Sequence, residues 1–79
     1  MGIPNEYLND PKLLLCWNFA SQVRNGRNDQ YNLGSASSTD ANGYFDINIS
    51  NLTDGFERML RDGYLEIHPQ KSNWYRLVL

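Results

Sequence analysis

The spacing of apolar residues changes at Gly63, and this change most constrains the fold. Before Gly63, apolar residues recur at helical intervals and predict an amphipathic helix over 51–62: Leu52, Phe56, Met59 and Leu60. After Gly63, apolar and polar residues alternate over 64–68 and again over 74–79, with a polar turn between the two segments. Alternation is the pattern of a half-buried strand. The C-terminal half therefore predicts a helix followed by an antiparallel hairpin.

A second helix is predicted over 11–25. Asp10 suits its N-cap, Pro11 suits its first position, and Gly26 suits its end. Apolar residues occur nearly all round this helix, so we expect it to pack on more than one side. Cys16 falls on the apolar stripe, which predicts a buried core thiol.

A third strand is predicted over 44–49, where alternation follows the turn signal Asn42-Gly43. Ser50 or Asn51 is expected to cap the helix that follows. The segment 1–9 is expected to be an extended arm, and 27–42 an irregular loop.

Together these elements predict a single α+β domain, with a three-stranded antiparallel sheet packed on two or three helices. A chain of 79 residues fits one domain, and its aromatic share of 13% supplies large buried areas to a small core. The predicted core consists of Leu13, Trp17, Ala20, Phe45, Ile47, Leu52, Phe56, Leu60, Leu65, Ile67 and Leu77.

Composition also restricts location and partners. The single cysteine permits no internal disulfide, so we expect a reducing, cytoplasmic location. No apolar run is long enough to span a bilayer, so no membrane partner is expected. The net charge of −2 and a pI near 5.1 count against binding driven by overall charge, although local basic patches matter more than the total.

Two stretches resemble known proteins. Over 60–67 the chain reads LRDGYLEI, which resembles the end of the recognition helix and the start of the wing in winged-helix domains. Over 3–13 it reads IPNEYLNDPKL, which is similar to the opening of phage and plasmid replication-organiser proteins. The resemblance implies a winged helix-turn-helix protein that binds DNA as a replication accessory or small transcriptional regulator. One departure is that the strand at 44–49 runs almost directly into the next helix. A complete winged helix has another helix before the recognition helix, joined to it by a tight turn, and here that helix either lies within 35–42 or has been lost.

The candidate DNA contacts lie on the predicted helix 51–62 and on the hairpin. Arg58 and Arg61 suit guanine, Asn51 suits adenine, and Thr53 is expected to be exposed beside them. From the hairpin, the cationic candidates for phosphate contacts are Lys71 and Arg76. The alternative is a solvated helix face with two internal ion pairs at i, i+4 spacing, Asp54 with Arg58 and Glu57 with Arg61.

A different class of function stays open, a winged-helix-like module that contacts protein and does not bind DNA. Trp74 and Val78 share a strand face opposite the predicted core and are candidates for that interface. Spare apolar surface on helix 11–25 predicts a homodimer. The alternative is that the arm folds back, placing Ile3, Tyr7 and Leu8 over that surface.

Catalysis is not expected. The glycines form no phosphate-binding or dinucleotide pattern, and no paired carboxylates or triad-like arrangement is visible. His68 is the single histidine and has no cysteine nearby, so neither a metal site nor another cofactor is expected. For the same reasons, no small-molecule substrate is expected.

Overall fold

A computed structural model describes residues 2–26, 38–48 and 51–78. Three helices and three strands follow one another in the order α1 (Asn5–Leu8), α2 (Pro11–Arg24), β1 (Phe45–Asp46), α3 (Thr53–Arg61), β2 (Leu65–Ile67) and β3 (Trp74–Leu77). The chain is an α+β domain with a small antiparallel sheet, which confirms the predicted class, and its packing is consistent with a winged-helix-like arrangement. No helix in these residues is long and apolar enough to cross a membrane.

The N-terminal segment is not an extended arm, so that prediction was wrong. It forms the one-turn helix α1, and Tyr7 on this helix is fully buried. Ile3 packs against the core, whereas Leu8 is 52% exposed. The alternative in which the arm folds back therefore describes Ile3 and Tyr7 correctly, and Leu8 incorrectly.

Helix α2 begins as predicted. The Asp10 carboxylate accepts hydrogen bonds from the backbone N–H groups of Lys12 and Leu13, at 3.0 and 3.2 Å. These bonds satisfy two donors that have no partner within the helix. The helix buries residues on several sides, as its apolar composition predicts: Leu13, Cys16, Trp17, Phe19, Ala20 and Val23.

The sheet has the order β1-β3-β2, so the last strand lies in the middle. Phe45 pairs with Tyr75 on one side of β3, and Leu65 pairs with Leu77 on the other. Strand β1 is shorter than predicted. After Asp46 the chain turns, because the carboxylate of Asp46 accepts the N–H of Asn48 at 3.0 Å. Residue 49, the last of the predicted strand, lies outside the described residues. So do residues 27–37 of the predicted loop.

Helix α3 begins at Thr53, later than predicted, and its N-cap residue Leu52 makes no side-chain capping bond. Asn51 lies in the preceding turn, so its predicted capping role was wrong, and Ser50 lies outside the described residues. No additional helix precedes α3 directly, because none of the described residues between β1 and α3 is helical: 47, 48, 51 and 52. The other place predicted for this helix was 35–42, of which 35–37 lie outside the described residues. Residue 38 is 3-10 helical, Thr39 forms a β-bridge with Phe45, and 41–42 form a turn.

The end of α3 is set by Gly63, as predicted. Its φ of +86° is a left-handed conformation that glycine adopts at little cost. The N–H of Tyr64 bonds to the carbonyl of Met59 at 2.9 Å, and that of Gly63 bonds to the carbonyl of Leu60 at 3.1 Å. This pair of bonds is a Schellman motif, which satisfies carbonyls at the helix end and turns the chain into β2.

Two aromatic clusters occupy the core. Phe19, Phe45 and Phe56 meet with ring centroids 4.8–5.8 Å apart. Tyr7, Trp17 and Tyr64 form a second cluster of edge-to-face contacts at 5.3–5.9 Å, which joins α1 to α2 and to the start of β2.

Most of the predicted core is confirmed, with one error. Eight of the eleven residues are buried, and Leu52 and Leu60 are partly buried against them. Ile67 is 64% exposed, so its predicted burial was wrong. It lies on the face that Leu65 occupies, but two residues farther along an edge strand, or about 6–7 Å. Alternation indicates which face a residue occupies and does not indicate how far the opposing layer extends.

Candidate nucleic-acid interface

The four DNA-contact candidates predicted on the helix 51–62 lie on α3 or just before it. Asn51 and Arg61 are exposed, and Thr53 and Arg58 are half-buried. The opposite side of α3 is buried, through Gly55, Phe56 and Met59. One helix therefore holds all four candidates on or next to a solvent-facing side.

Helix α3 is held close to α2 at Gly55. A Cβ atom added at Gly55 would lie 2.5 Å from the Cys16 Sγ, so no side chain fits there without movement. The Cys16 thiol donates to the carbonyl of Leu52 at 3.7 Å, and burial raises the pKa of Cys16 to about 12. The predicted core thiol is confirmed, and it contacts the residue that precedes α3.

A groove of about 190 Å³ lies between the start of α2 and the exposed side of α3. Its lining cations are Lys12, Arg58 and Arg61, and its carboxylates are Asp10 and Asp54. Leu13 and Gly55 complete the lining. Asp10 already serves as the cap of α2. The groove thus places a modest excess of positive charge beside the helix.

Arg58 is tied to the C-terminal end of α3. Its Nε donates to Asp62 Oδ2 at 2.8 Å, and the Tyr7 hydroxyl donates to the same oxygen at 2.8 Å. The hydrogen bond from Tyr7 and then that from Arg58 hold the pKa of Asp62 below its usual value. Burial, followed by the bond to Asp62, raises the pKa of Tyr7 well above its usual value.

The predicted ion pairs of α3 are not the observed ones. Arg58 pairs with Asp62 and not with Asp54, so that prediction was wrong. Spacing alone could not decide between them, because Arg58 has a carboxylate four residues away on each side. Among the described residues no ion pair joins Glu57 to Arg61, and Arg61 is left exposed on α3 without one.

At the hairpin tip, Lys71 is exposed and its Nζ lies 4.1 Å from the centroid of the Trp74 ring. The tip is shaped by His68, whose Nδ1 accepts the N–H groups of Gln70 and Lys71 at 3.0 and 3.1 Å. Trp74 and Val78, the candidate protein contacts, are half-buried. Trp74 therefore stacks under a cation of its own hairpin.

Arg76 differs from the other candidates because two of its three guanidinium nitrogens bond inside the domain. Its Nε bonds to Glu66, one terminal nitrogen donates to the carbonyl of Asn42 at 3.1 Å, and its guanidinium carbon lies 4.5 Å from the Tyr44 ring centroid. Glu66 also lies 3.6 Å from Arg24. Within the described ranges, no hydrogen bond or ion pair connects Arg76 or Lys71 to α3.

Sequence reasoning missed two residues of this surface, Tyr7 and Asp62. Asp62 could have been found from its position four residues after Arg58. No local pattern indicated that Tyr7, 55 positions away, would bond to Asp62. The described residues contain no group of three or more His, Cys, Asp or Glu that could hold a metal ion. No family model, curated protein or solved structure matches the chain.

Proposed function

We propose that this domain binds double-stranded DNA, with α3 as the reading helix and the β2–β3 hairpin as a wing. The observation that carries the proposal is the exposed Arg61 on α3, followed at Gly63 by a hairpin whose tip exposes Lys71. The resemblance of 3–13 to replication-organiser proteins favours a replication accessory or small regulator of phage or plasmid type. A cytoplasmic location agrees with the free thiol of Cys16.

The chemistry of the two cations suits different parts of a duplex. An α-helix fits the major groove, where an arginine can donate two hydrogen bonds to guanine. A lysine on a hairpin tip suits the phosphate backbone, which fixes register and carries no sequence information. Asn51 and Thr53, at the start of α3, would add polar contacts. Arg76 contributes to the proposal only through the hairpin that it stabilises.

Fluorescence anisotropy with labelled mixed-sequence duplexes tests the proposal at low salt. We expect binding that weakens steeply as salt rises, with a log–log slope of about −3 if three phosphates are contacted. Lys71→Ala should lower the magnitude of this slope by about 1, and Arg61→Ala should weaken binding to a preferred site by about 1–3 kcal/mol.

Two control variants sharpen this experiment. Arg61→Lys keeps the positive charge but cannot donate two parallel hydrogen bonds to guanine. Compared with Arg61→Ala, it should therefore recover non-specific binding without recovering sequence preference. Asn18→Ala, at an exposed position of α2, should leave affinity unchanged. Absence of binding at tens of micromolar protein and low salt would overturn the proposal.

A protein-binding module is the second candidate, and the exposure of Ile67 favours it. Ile67 is 64% exposed on an edge strand, and it pairs with Tyr75, so it lies on the sheet face opposite Trp74. An apolar side chain on an edge strand suits pairing with another chain. If duplex DNA fails to bind while Ile67→Lys abolishes self-association, this candidate replaces the first.

A further inference from the structure

Two side chains, one from α1 and one from α3, converge on a single carboxylate oxygen of Asp62 at the end of α3. Asp62 Oδ2 accepts the hydroxyl of Tyr7 and the Nε–H of Arg58, each at 2.8 Å. The guanidinium carbon of Arg58 also lies 5.8 Å from the centroid of the Tyr7 ring. Arg58 is therefore held by a carboxylate that is itself held by the N-terminal helix α1.

This arrangement uses only one of the three nitrogens of the Arg58 guanidinium. In the described part of the chain, its two terminal nitrogens make no hydrogen bond, and the side chain is 40% exposed. A free arginine loses much rotamer freedom when it docks, and a tethered one loses less per bond formed. Arg58 thus presents a fixed pair of donors on the proposed DNA-binding side of α3.

The buried aromatic ring of Tyr7 makes the tether stiff. Tyr7 is fully buried, and its ring packs edge-to-face on Trp17 and Tyr64, so its hydroxyl has little freedom to move. Asp62 follows the last residue of α3 and lies within the Schellman motif, whose backbone is fixed by two hydrogen bonds. The side chain of Tyr7 and the backbone of Asp62, which together hold Arg58, are therefore both fixed in place.

We propose that Arg58 reads a guanine edge in the major groove, and that Tyr7 and Asp62 are positioning residues that orient its guanidinium for this contact. The inference rests on the proposed DNA binding and assigns one of its specificity determinants. It also gives the N-terminal helix, which carries no cation, a role in sequence preference.

The test uses the whole chain and a duplex site enriched from a random pool, with single base-pair variants of that site as competitors. Arg58→Ala should lower the preference for G·C at one position by about 5- to 150-fold. Tyr7→Phe and Asp62→Asn should each lower the preference at that same position several-fold. Tyr7→Phe should change neither the salt dependence nor the affinity for a mixed-sequence duplex. Asp62→Asn also removes a negative charge beside Arg58, so it should raise the affinity for a mixed-sequence duplex while it lowers the base preference. Arg61→Ala is the matched control on the same helix and should alter a different position.

Each result separates the proposals. If the wild-type chain binds no duplex, the proposed function fails. If it binds and Arg58→Ala leaves every base preference unchanged, the reading role of Arg58 is refuted while DNA binding stands. If Arg58→Ala changes the preference and Tyr7→Phe and Asp62→Asn do not, the positioning role is refuted. Should Tyr7→Phe fail to fold, Asp62→Asn carries the test, because Asp62 lies at the surface.

Discussion

Replacing Gly55 with alanine tests the close contact between α2 and α3. The new Cβ would lie 2.5 Å from the Cys16 Sγ and 3.5 Å from the Lys12 Cγ. Atoms in good contact are about 3.5–4.0 Å apart, so the helices must separate by roughly 1 Å or Cys16 must move. Overpacking of this kind costs about 1–3 kcal/mol. Alanine recovers up to about 1 kcal/mol of helix propensity. We expect a net loss of about 1–2 kcal/mol.

Urea unfolding followed by tryptophan fluorescence and circular dichroism measures this loss. The midpoint should fall while the denaturant slope stays unchanged, because the exposed area on unfolding is the same. The corresponding fall in melting temperature is about 4–16 °C for a domain of this size.

The double variant with Cys16→Ala identifies the cause. Cys16→Ala alone should cost about 1 kcal/mol, because it leaves a small cavity. In the double variant the methyl group introduced at position 55 occupies the space of the lost sulfur. The loss of unfolding free energy in the double variant should therefore be smaller than the summed losses of the two single variants, by about 1 kcal/mol or more. Gly63→Ala is the control, since it strains a positive φ without any close contact and should be additive with Cys16→Ala. A Gly55→Ala variant as stable as the wild type, or strict additivity with Cys16→Ala, would refute the reasoning.

Three other predictions concern the cap of α2, the acid limit of stability and the oligomeric state. Asp10→Ala should lower the free energy of unfolding by about 1 kcal/mol, because two backbone donors lose their acceptor, and Asp10→Asn should restore most of it in thermal melts. Because the folded pKa of Asp62 is depressed, its contribution is full above the unfolded pKa of about 3.9 and is lost as pH falls through the folded pKa. Urea melts should therefore show the wild type more stable than Asp62→Asn at pH 7, with the difference shrinking as the pH falls below about 3.9; a constant difference would contradict this. The homodimer stays a prediction, although α1 covers part of the surface on which it was based. Light scattering should give a dimer mass, and a monomer mass at both low and high concentration would overturn it.

The sequence predicts those features that local chemistry determines. The start of α2 follows from a carboxylate placed before a proline, and the end of α3 follows from a glycine that adopts the left-handed conformation at little cost. The assignment of β2 and β3 follows from alternation, which persists however the strands are packed.

Features that depend on contacts between distant residues were not predictable in this way. The burial of Tyr7 depends on a pocket formed by Trp17 and Tyr64, so the sequence offered it only as the alternative to an extended arm. The roles of Arg58 and Arg76 depend on which carboxylate each side chain reaches in three dimensions. For the candidate site, the sequence therefore identified the cations on α3 and did not identify what orients them.

The central position of β3 has a consequence for how this domain is made. Strands β1 and β2 each pair with β3 and not with one another, and β3 follows both of them along the chain. During synthesis, which proceeds from the N-terminus at about 5–20 residues per second, neither earlier strand has its neighbour until Trp74–Leu77 emerges. The helices can associate before that moment, but the sheet cannot. The sheet thus forms late, and a nascent chain that stops before Trp74 leaves open to other chains the edges of β1 and β2 that face β3, although Phe45 can still form its bridge with Thr39.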